Sequence, residues 1–285
     1  MVILYILLFI LLITTWVTTS LYVIVWYEFV NFKNNADDRQ WRKQIRLLPV
    51  IKGVILESLC LFFLMITTPL RFYFDRIPKN PEKNSHPPIL FVHGWGCGSH
   101  AFLIIYLFLK HHRFKNLYFL TYRPIFSDAS ILAKQVAEKA DYVKQKTGAE
   151  KITVISHSMG GVLTRDAIKN LGAGEAIGKL ITLGSPHMGS RVSAFMPIGK
   201  NTLQMSYKSA FLTELADHTM TPGDTEYVSI YSDFDNFIIP QDSSDLGNNA
   251  TNIKIPYHGH THLLYSYRVI RLIIKELSQE YKIFK

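Results

Sequence analysis

The chain has 285 residues, a formal net charge of +9, 48% hydrophobic residues and two cysteines. That length suffices for one full-sized domain with an appendage, and two cysteines exclude a disulfide-stapled scaffold. The basic surplus raises nucleic acid as a partner, but no zinc-finger spacing or repeating basic helix supports it, and attraction to anionic lipid accounts for the charge better.

The lipid reading comes from where the apolar residues lie. Residues 1–30 carry no charge before Glu28, and about 20 apolar residues cross a bilayer. The stretch lacks the basic start and small-residue cleavage site of a signal peptide. Trp26 and Tyr27 suit the interfacial belt. It reads as a retained transmembrane helix. Residues 31–46 are polar, with Lys33, Arg39, Arg42, Lys43 and Arg46 against Asp37 and Asp38. Residues 47–70 read as a second crossing closed by Pro69, with a helix lying in the interface as the alternative. Lys52 can snorkel. Glu57 lies deeper, costly if it faces lipid, and is expected to be a helix-packing or near-interface residue rather than a catalytic one. Cys60 falls in this apolar run, so a disulfide with Cys97 is not expected. The positive-inside bias places the basic linker in the cytoplasm and the C-terminal domain across the membrane, with Arg71, Arg76, Lys79 and Lys83 weighing against it. The division is a membrane hairpin at 1–71, a proline-rich tether at 72–87 and a globular domain at 88–285.

Within that domain, strands and helices alternate. Residues 89–92 form a buried strand that runs into His93-Gly94-Trp95-Gly96-Cys97-Gly98. A helix follows at 101–109, ending in the basic run 110–113. The adjacent His111 and His112 have no nearby carboxylate or cysteine at ligand spacing, so they read as a solvated helix end. Residues 116–121 are a strand, and Ser127 or Asp128 caps a helix at 129–147 that Gly148 ends. A strand at 151–155 leads through Ser158 into a helix from Met159, and 177–183 is another strand. Residues 191–224 show no clear strand, and their apolar content suits either an acyl chain or ordinary domain packing. Strands at 226–231 and 252–255 and a closing helix from 263 to about 280 complete the domain. This alternation predicts an α/β fold with a doubly wound, mostly parallel sheet, preceded by two transmembrane helices.

Ser158 stands where strand turns directly into helix. Such a junction holds its residue in a tight turn with the side chain exposed, and the helix N-terminus aims backbone N–H groups at the same point. Gly160 and Gly161 allow close passage of the helix over the strand. A serine nucleophile needs a histidine base and an orienting acid. Downstream the chain offers Asp233, Asp235, Asp242 and Asp245, then His258, His260 and His262. The three alternating histidines with Asp235 also satisfy the arithmetic of a zinc cluster, a reading that leaves the Ser158 and His93-Gly94 segments unexplained.

The segments HGWG, HSMGG, SPHMG and GHTHLL together resemble the α/β-hydrolase superfamily, and are most similar to its small bacterial triacylglycerol lipases. The resemblance covers residue 88 to the C-terminus and leaves out the hairpin. Ser156 stands where the family's first elbow glycine is usual. The resemblance implies a lipase or esterase cleaving carboxylic esters of lipophilic substrates. Ser158 would be the nucleophile, Asp235 the acid, His260 the base, and the backbone N–H groups of Trp95 and Met159 the oxyanion hole. His93 and His187 would be structural. It implies no metal and no organic cofactor. The implied partners are the lipid bilayer and a lipophilic ester, with no nucleic acid. An acyltransferase or thioesterase on the same fold is the nearest alternative, and a non-catalytic membrane-anchored interaction protein the alternative of another class.

Overall fold

In a computed structural model, residues 1–32, 47–74, 81, 86–195 and 198–283 are described. Residues 33–46 of the polar linker and most of the proline-rich tether lie outside the described residues, and α1 takes in the linker's first two residues. Six parallel strands form one sheet: β1 (Ile89–Val92), β2 (Leu117–Leu120), β3 (Ile152–His157), β4 (Ile177–Leu183), β5 (Glu226–Ser232) and β6 (Thr251–Ile255), in the order β2-β1-β3-β4-β5-β6. Runs such as Ile89-Leu90-Phe91-Val92 are apolar throughout because both faces of the sheet are covered. The chain leaves β1 toward β2 on one side and returns to β3 on the other. Loops leaving β1 and β3 therefore diverge and open a crevice at the strands' C-terminal ends. Val92 pairs with Ser156, so the Gly94 loop and Ser158 emerge side by side.

The helices are α1 (Val2–Phe32), α2 (Leu47–Ile66), α3 (Arg71–Phe74), α4 (Leu103–His111), α5 (Ala129–Thr147), α6 (Met159–Asn170), α7 (Arg191–Phe195), α8 (Lys200–Gln204), α9 (Ala210–Ala216) and α10 (Tyr267–Ile283). On one face of the sheet Leu132 and Val136 of α5 and Leu163 of α6 pack with Val154 and Leu180. On the other, Ile105 of α4 and Ile270 and Ile273 of α10 pack with Phe91, Ile181 and Ile230. The sheet is thus doubly wound. Asp128 caps α5 by accepting from the Ser130 N–H at 3.0 Å, and Gly148 ends it at φ 65°.

Several boundaries differ from the expected ones, for local reasons. The helix after the Gly94 loop begins with a 3₁₀ turn at Ser99–Phe102 and is α-helical only from Leu103. The closing helix starts at Tyr267, not 263, because His262–Leu264 is a 3₁₀ turn and Ser266 is tied to His258 Nε2 at 2.8 Å. The second apolar helix ends at Ile66, where the Thr67 hydroxyl donates back to the Phe63 carbonyl and Pro69 follows. The region without strands holds the short helices α7, α8 and α9.

α1 and α2 are long and apolar enough to span a membrane. They also lie against the globular domain. Gly53, Glu57, Leu61 and Leu64 recur at helical spacing along one face of α2. Gly53 meets Phe234, where a Cβ would come 2.7 Å from the ring. Leu64 is buried with Phe74 and Phe119, and Phe63 sits edge-on to Tyr265 at 5.3 Å. Leu21 of α1 is buried with Val192 and Ile239. The opposite faces, including Leu12, Trp16, Ile55 and Leu59, are exposed.

Candidate active site

Ser158 caps α6 with φ 54° and ψ −130°, in the region that side chains other than glycine rarely occupy. Such strain costs about 1–3 kcal/mol and persists only where the surroundings enforce it. Here the Ser158 N–H donates to the Leu183 carbonyl at 2.9 Å. A Cβ on Gly160 would meet the Val92 and His93 carbonyls, and one on Gly161 would meet the Ser185 side chain. The buried Ser156 hydroxyl lies 3.1 Å from Thr164 Oγ1 of α6, so a serine is accommodated at the usual glycine and the turn closes. Ser158→Gly is expected to relieve the strain and stabilise the protein by about 1 kcal/mol, after the entropy cost of the extra glycine. Thermal unfolding checks this as a rise in Tm of about 2–4 °C.

The loop after β1 crosses beside this turn. A Cβ on Gly94 would lie 2.7 Å from Ser158 Cβ. His93 is buried, its Nδ1 2.8 Å from the Gly94 carbonyl and its ring stacked 4.2 Å from Tyr122. The Tyr122 hydroxyl donates to the His93 carbonyl at 3.1 Å. Trp95, Ser158 and Met159 line one cleft with Pro186, Val192, Met205, Phe237 and Ile238. The space in and over the cleft, open solvent included, is about 490 Å³. Met159 is the first residue of α6, so its N–H has no carbonyl acceptor within the helix.

The loop after β5 delivers Asp235, 1% exposed. Its Oδ1 accepts the Phe237 and Ile238 N–H groups at 2.8 and 2.9 Å, and its Oδ2 lies 2.8 Å from His260 Nδ1. A carboxylate only accepts, so Nδ1 carries the hydrogen and Nε2 is left as a lone-pair acceptor. Gly184, at φ 54°, backs this pair: a Cβ there would come 3.0 Å from Asp235 Oδ2 and 2.7 Å from Leu263. The His260 N–H donates to Asn236 Oδ1 at 3.0 Å, and the His157 ring lies 4.6 Å from the His260 ring. Burial alone would depress the His260 pKa. The charge and hydrogen bond of Asp235, with the Glu57 charge adding, more than offset this and raise it above the ordinary histidine value. Burial pushes His157 well below that value.

The other candidates lie elsewhere. Asp233 accepts the Tyr257 N–H at 3.3 Å, Asp242 pairs with Lys254 at 2.6 Å, and Asp245 accepts the Tyr231 hydroxyl at 2.9 Å. His258 has Nδ1 at the Pro256 carbonyl and Nε2 at Ser266 Oγ. His262 stacks on it at 4.4 Å, and burial pushes its pKa down to about 4. His187 is fully buried, with Nε2 3.2 Å from Thr182 Oγ1.

A parallel sheet ordered in this way, a strained serine between β3 and α6, and an Asp–His pair from the loops after β5 and β6 define the architecture. The chain has the α/β-hydrolase fold. A family model described as palmitoyl protein thioesterase matches residues 88–229, just under half the chain. Among solved structures, Bacillus licheniformis lipase BlEst2 in its mature form is similar with a TM-score of 0.60 at 18% identity, over 71% of this chain and 96% of the lipase. Aspergillus fumigatus lipase B reaches 0.64 at 18% identity over 71% of this chain and 55% of its own. The lin2722 product of Listeria innocua reaches 0.52 at 13% identity, over 66% and 92%. At these identities the likeness is one of fold.

Glu57, read in the sequence as a packing or interfacial acid, also reaches the candidate site. Glu57 of α2 is fully buried and reaches the His260 loop as well as the neighbourhood of Tyr22 on α1. Oε1 accepts the Thr261 N–H and Oε2 the His262 N–H, each at 2.8 Å. Desolvating a carboxylate costs several kcal/mol. Two hydrogen bonds to a charged acceptor contribute about 1.5–3 kcal/mol each, enough to offset much of that. A Cβ on Gly259 would collide with this carboxylate, so the glycine before His260 is required by Glu57. The available signal was the acid itself, standing alone in an apolar helix.

Proposed function

We propose that this chain is a membrane-held serine esterase that hydrolyses acyl esters of lipophilic substrates through Ser158, His260 and Asp235. The observation that carries the reading is the 2.8 Å His260–Asp235 pair, linked to the strained Ser158 turn through His157, whose Nε2 lies 3.2 Å from the His260 carbonyl, and to the apolar cleft through Phe237, whose ring lies 5.1 Å from that of His260. His260 Nε2 takes the Ser158 Oγ proton as Oγ attacks the acyl carbonyl, and Asp235 holds the imidazolium that forms. The Trp95 and Met159 N–H groups accommodate the oxyanion. His260 then protonates the leaving alcohol. A water, deprotonated by His260, attacks the acyl-enzyme and releases the acid and free Ser158.

The walls of the cleft support a lipophilic substrate. Val192 and Phe237 line it; Val192 is buried with Leu21 of α1 and Ile239, and Phe237 packs on the same cluster as Val17, Ile24 and Val25 of α1. Phe126, Phe195, Ile198 and Leu203 are exposed apolar side chains on the segments next to the cleft-lining residues Trp95, Val192 and Thr202. An acyl chain leaving the bilayer along α1 therefore meets apolar surface up to Ser158. In this reading α1 and α2, whose inner faces dock on the domain and whose outer faces are apolar and exposed, hold the site at the membrane, with the extracytoplasmic side as the expected one; reporter fusions after residue 40 and at the C-terminus test that side.

The family match at residues 88–229 favours a thioester as a second acyl donor. Purified full-length protein assayed with p-nitrophenyl esters of graded length, acyl thioesters, and glycerol as competing acceptor separates the readings. Ester hydrolysis rising with chain length supports the proposal. Thioester cleavage alone, or transfer to glycerol in preference to water, replaces it with the thioesterase or the acyltransferase.

A pH dependence follows from the raised His260 pKa. The imidazolium cannot accept the Ser158 proton, so activity is lost as pH falls through that pKa. The acid limb of kcat/KM is expected above the ordinary histidine value of about 6.5, and Asp235→Asn is expected to move the limb of its residual activity downward. A limb below 6.5 in the wild type argues against the pairing.

A further inference from the structure

The Glu57 contact reaches further than anchoring. It joins the centre of an apolar helix to the two residues that follow His260, across more than two hundred positions in sequence. Both oxygens accept from backbone N–H groups, and hydrogen bonds donated to a carboxylate favour its charged form. The same helix face touches the acid loop as well: Gly53 lies against Phe234, and Tyr22 of α1 stacks on Phe234 at 4.5 Å, one residue before Asp235. The two loops that must hold Asp235 and His260 at hydrogen-bond distance are thus both braced by the hairpin.

We propose that Glu57 is a positioning residue for His260, so that docking of α2 against the His260 loop is a condition of catalysis and the hairpin is part of the active site. The inference rests on the reading of Ser158, His260 and Asp235 as catalytic. Among the described residues, the charged and titratable groups facing His260 are Asp235, Glu57 and His157, of which burial keeps His157 neutral, and Tyr22, Cys60 and Tyr265 face Glu57. Glu57 acts on the base in two ways. It fixes the backbone on the C-terminal side of His260, and its charge favours the imidazolium that forms as Ser158 attacks.

The test uses full-length protein in detergent micelles, with Glu57→Gln and Glu57→Asp compared to wild type. Glutamine keeps the size but loses the charge and sets its NH₂ against one backbone N–H. It is expected to lower kcat by about 10- to 100-fold with KM within about twofold. It is also expected to move the acid limb of the pH profile to lower pH. Aspartate keeps the charge but falls short of one N–H, so kcat drops while the limb stays near its wild-type position. A folded Glu57→Gln protein with wild-type kcat and an unmoved acid limb overturns the proposal, as does one altered only in Tm. Should Glu57→Gln fail to fold, Glu57→Asp carries the test, and a wild-type kcat in it overturns the proposal. Labelling of the wild type by a fluorophosphonate at Ser158 keeps the two failures apart. Absent labelling removes the catalytic reading itself, whereas normal labelling with an indifferent Glu57 removes this inference alone.

Discussion

Ser158→Ala is expected to fold as the wild type does and to hydrolyse acyl esters roughly 10⁶-fold more slowly. The substitution removes one oxygen. It leaves the Cβ, the positive φ and the backbone donation to Leu183 in place, so the turn and α6 are unchanged. What remains in the cleft are donors that can hold an oxyanion, and such sites retain some acceleration over water without their nucleophile. Steady-state hydrolysis of a p-nitrophenyl ester, with Tm measured on the same preparation, checks both halves. Loss of activity with a wild-type Tm is the expected outcome. Turnover within tenfold of wild type assigns the chemistry to another residue.

Asp235→Asn separates geometry from charge, and a loss of about 10⁴-fold in kcat is expected. The asparagine Oδ1 still accepts the Phe237 and Ile238 N–H groups, so the loop keeps its turn. Its NH₂ then faces His260 Nδ1, which must become an acceptor. The imidazole is driven into the other tautomer, with the hydrogen on Nε2, where it can no longer take the Ser158 proton. The imidazolium also loses its counter-charge. Asp235→Ala costs both turn and tautomer, so it is expected to lower Tm as well. The contrast between the two variants distinguishes an orienting carboxylate from a loop brace. Asp233→Asn, altering an acid whose recorded contact is the Tyr257 N–H, is expected to leave kcat within about threefold.

Much of the fold was legible because its signals are local. Ile152–Ile155 is a β-branched run, Gly160 and Gly161 announce a close approach, and Asp128 and Gly148 bound α5 as caps. The sheet's α/β alternation follows from the same runs. The order Ser158, Asp235, His260 could be read from motif frames, and the fold brings Asp235 and His260 within hydrogen-bond distance. The strand at Ile152 runs on to His157 because His157 pairs with Leu183, a partner 26 positions away that periodicity does not see. Nothing local marks Gly184, whose space is needed by Asp235 from the loop after β5 and by His260 and Leu263 from the segment after β6. Glu57 was the largest gap. Apolar composition marks α1 and α2 as membrane-seeking, and hydropathy carries no information on which face of such a helix meets protein. Only the fold places residue 57 beside residues 261 and 262.

The central claim is that Ser158, at the junction of β3 and α6, is an activated nucleophile. Its most direct test is covalent. The full-length protein in membranes is treated with a fluorophosphonate probe, digested, and the modified residue located by mass spectrometry, with His260→Ala and His262→Ala proteins alongside. The account predicts a single modified residue, Ser158, with labelling strongly slowed in His260→Ala and unaffected in His262→Ala. Modification at another serine, or a folded wild type that takes up no probe with or without detergent, would contradict it.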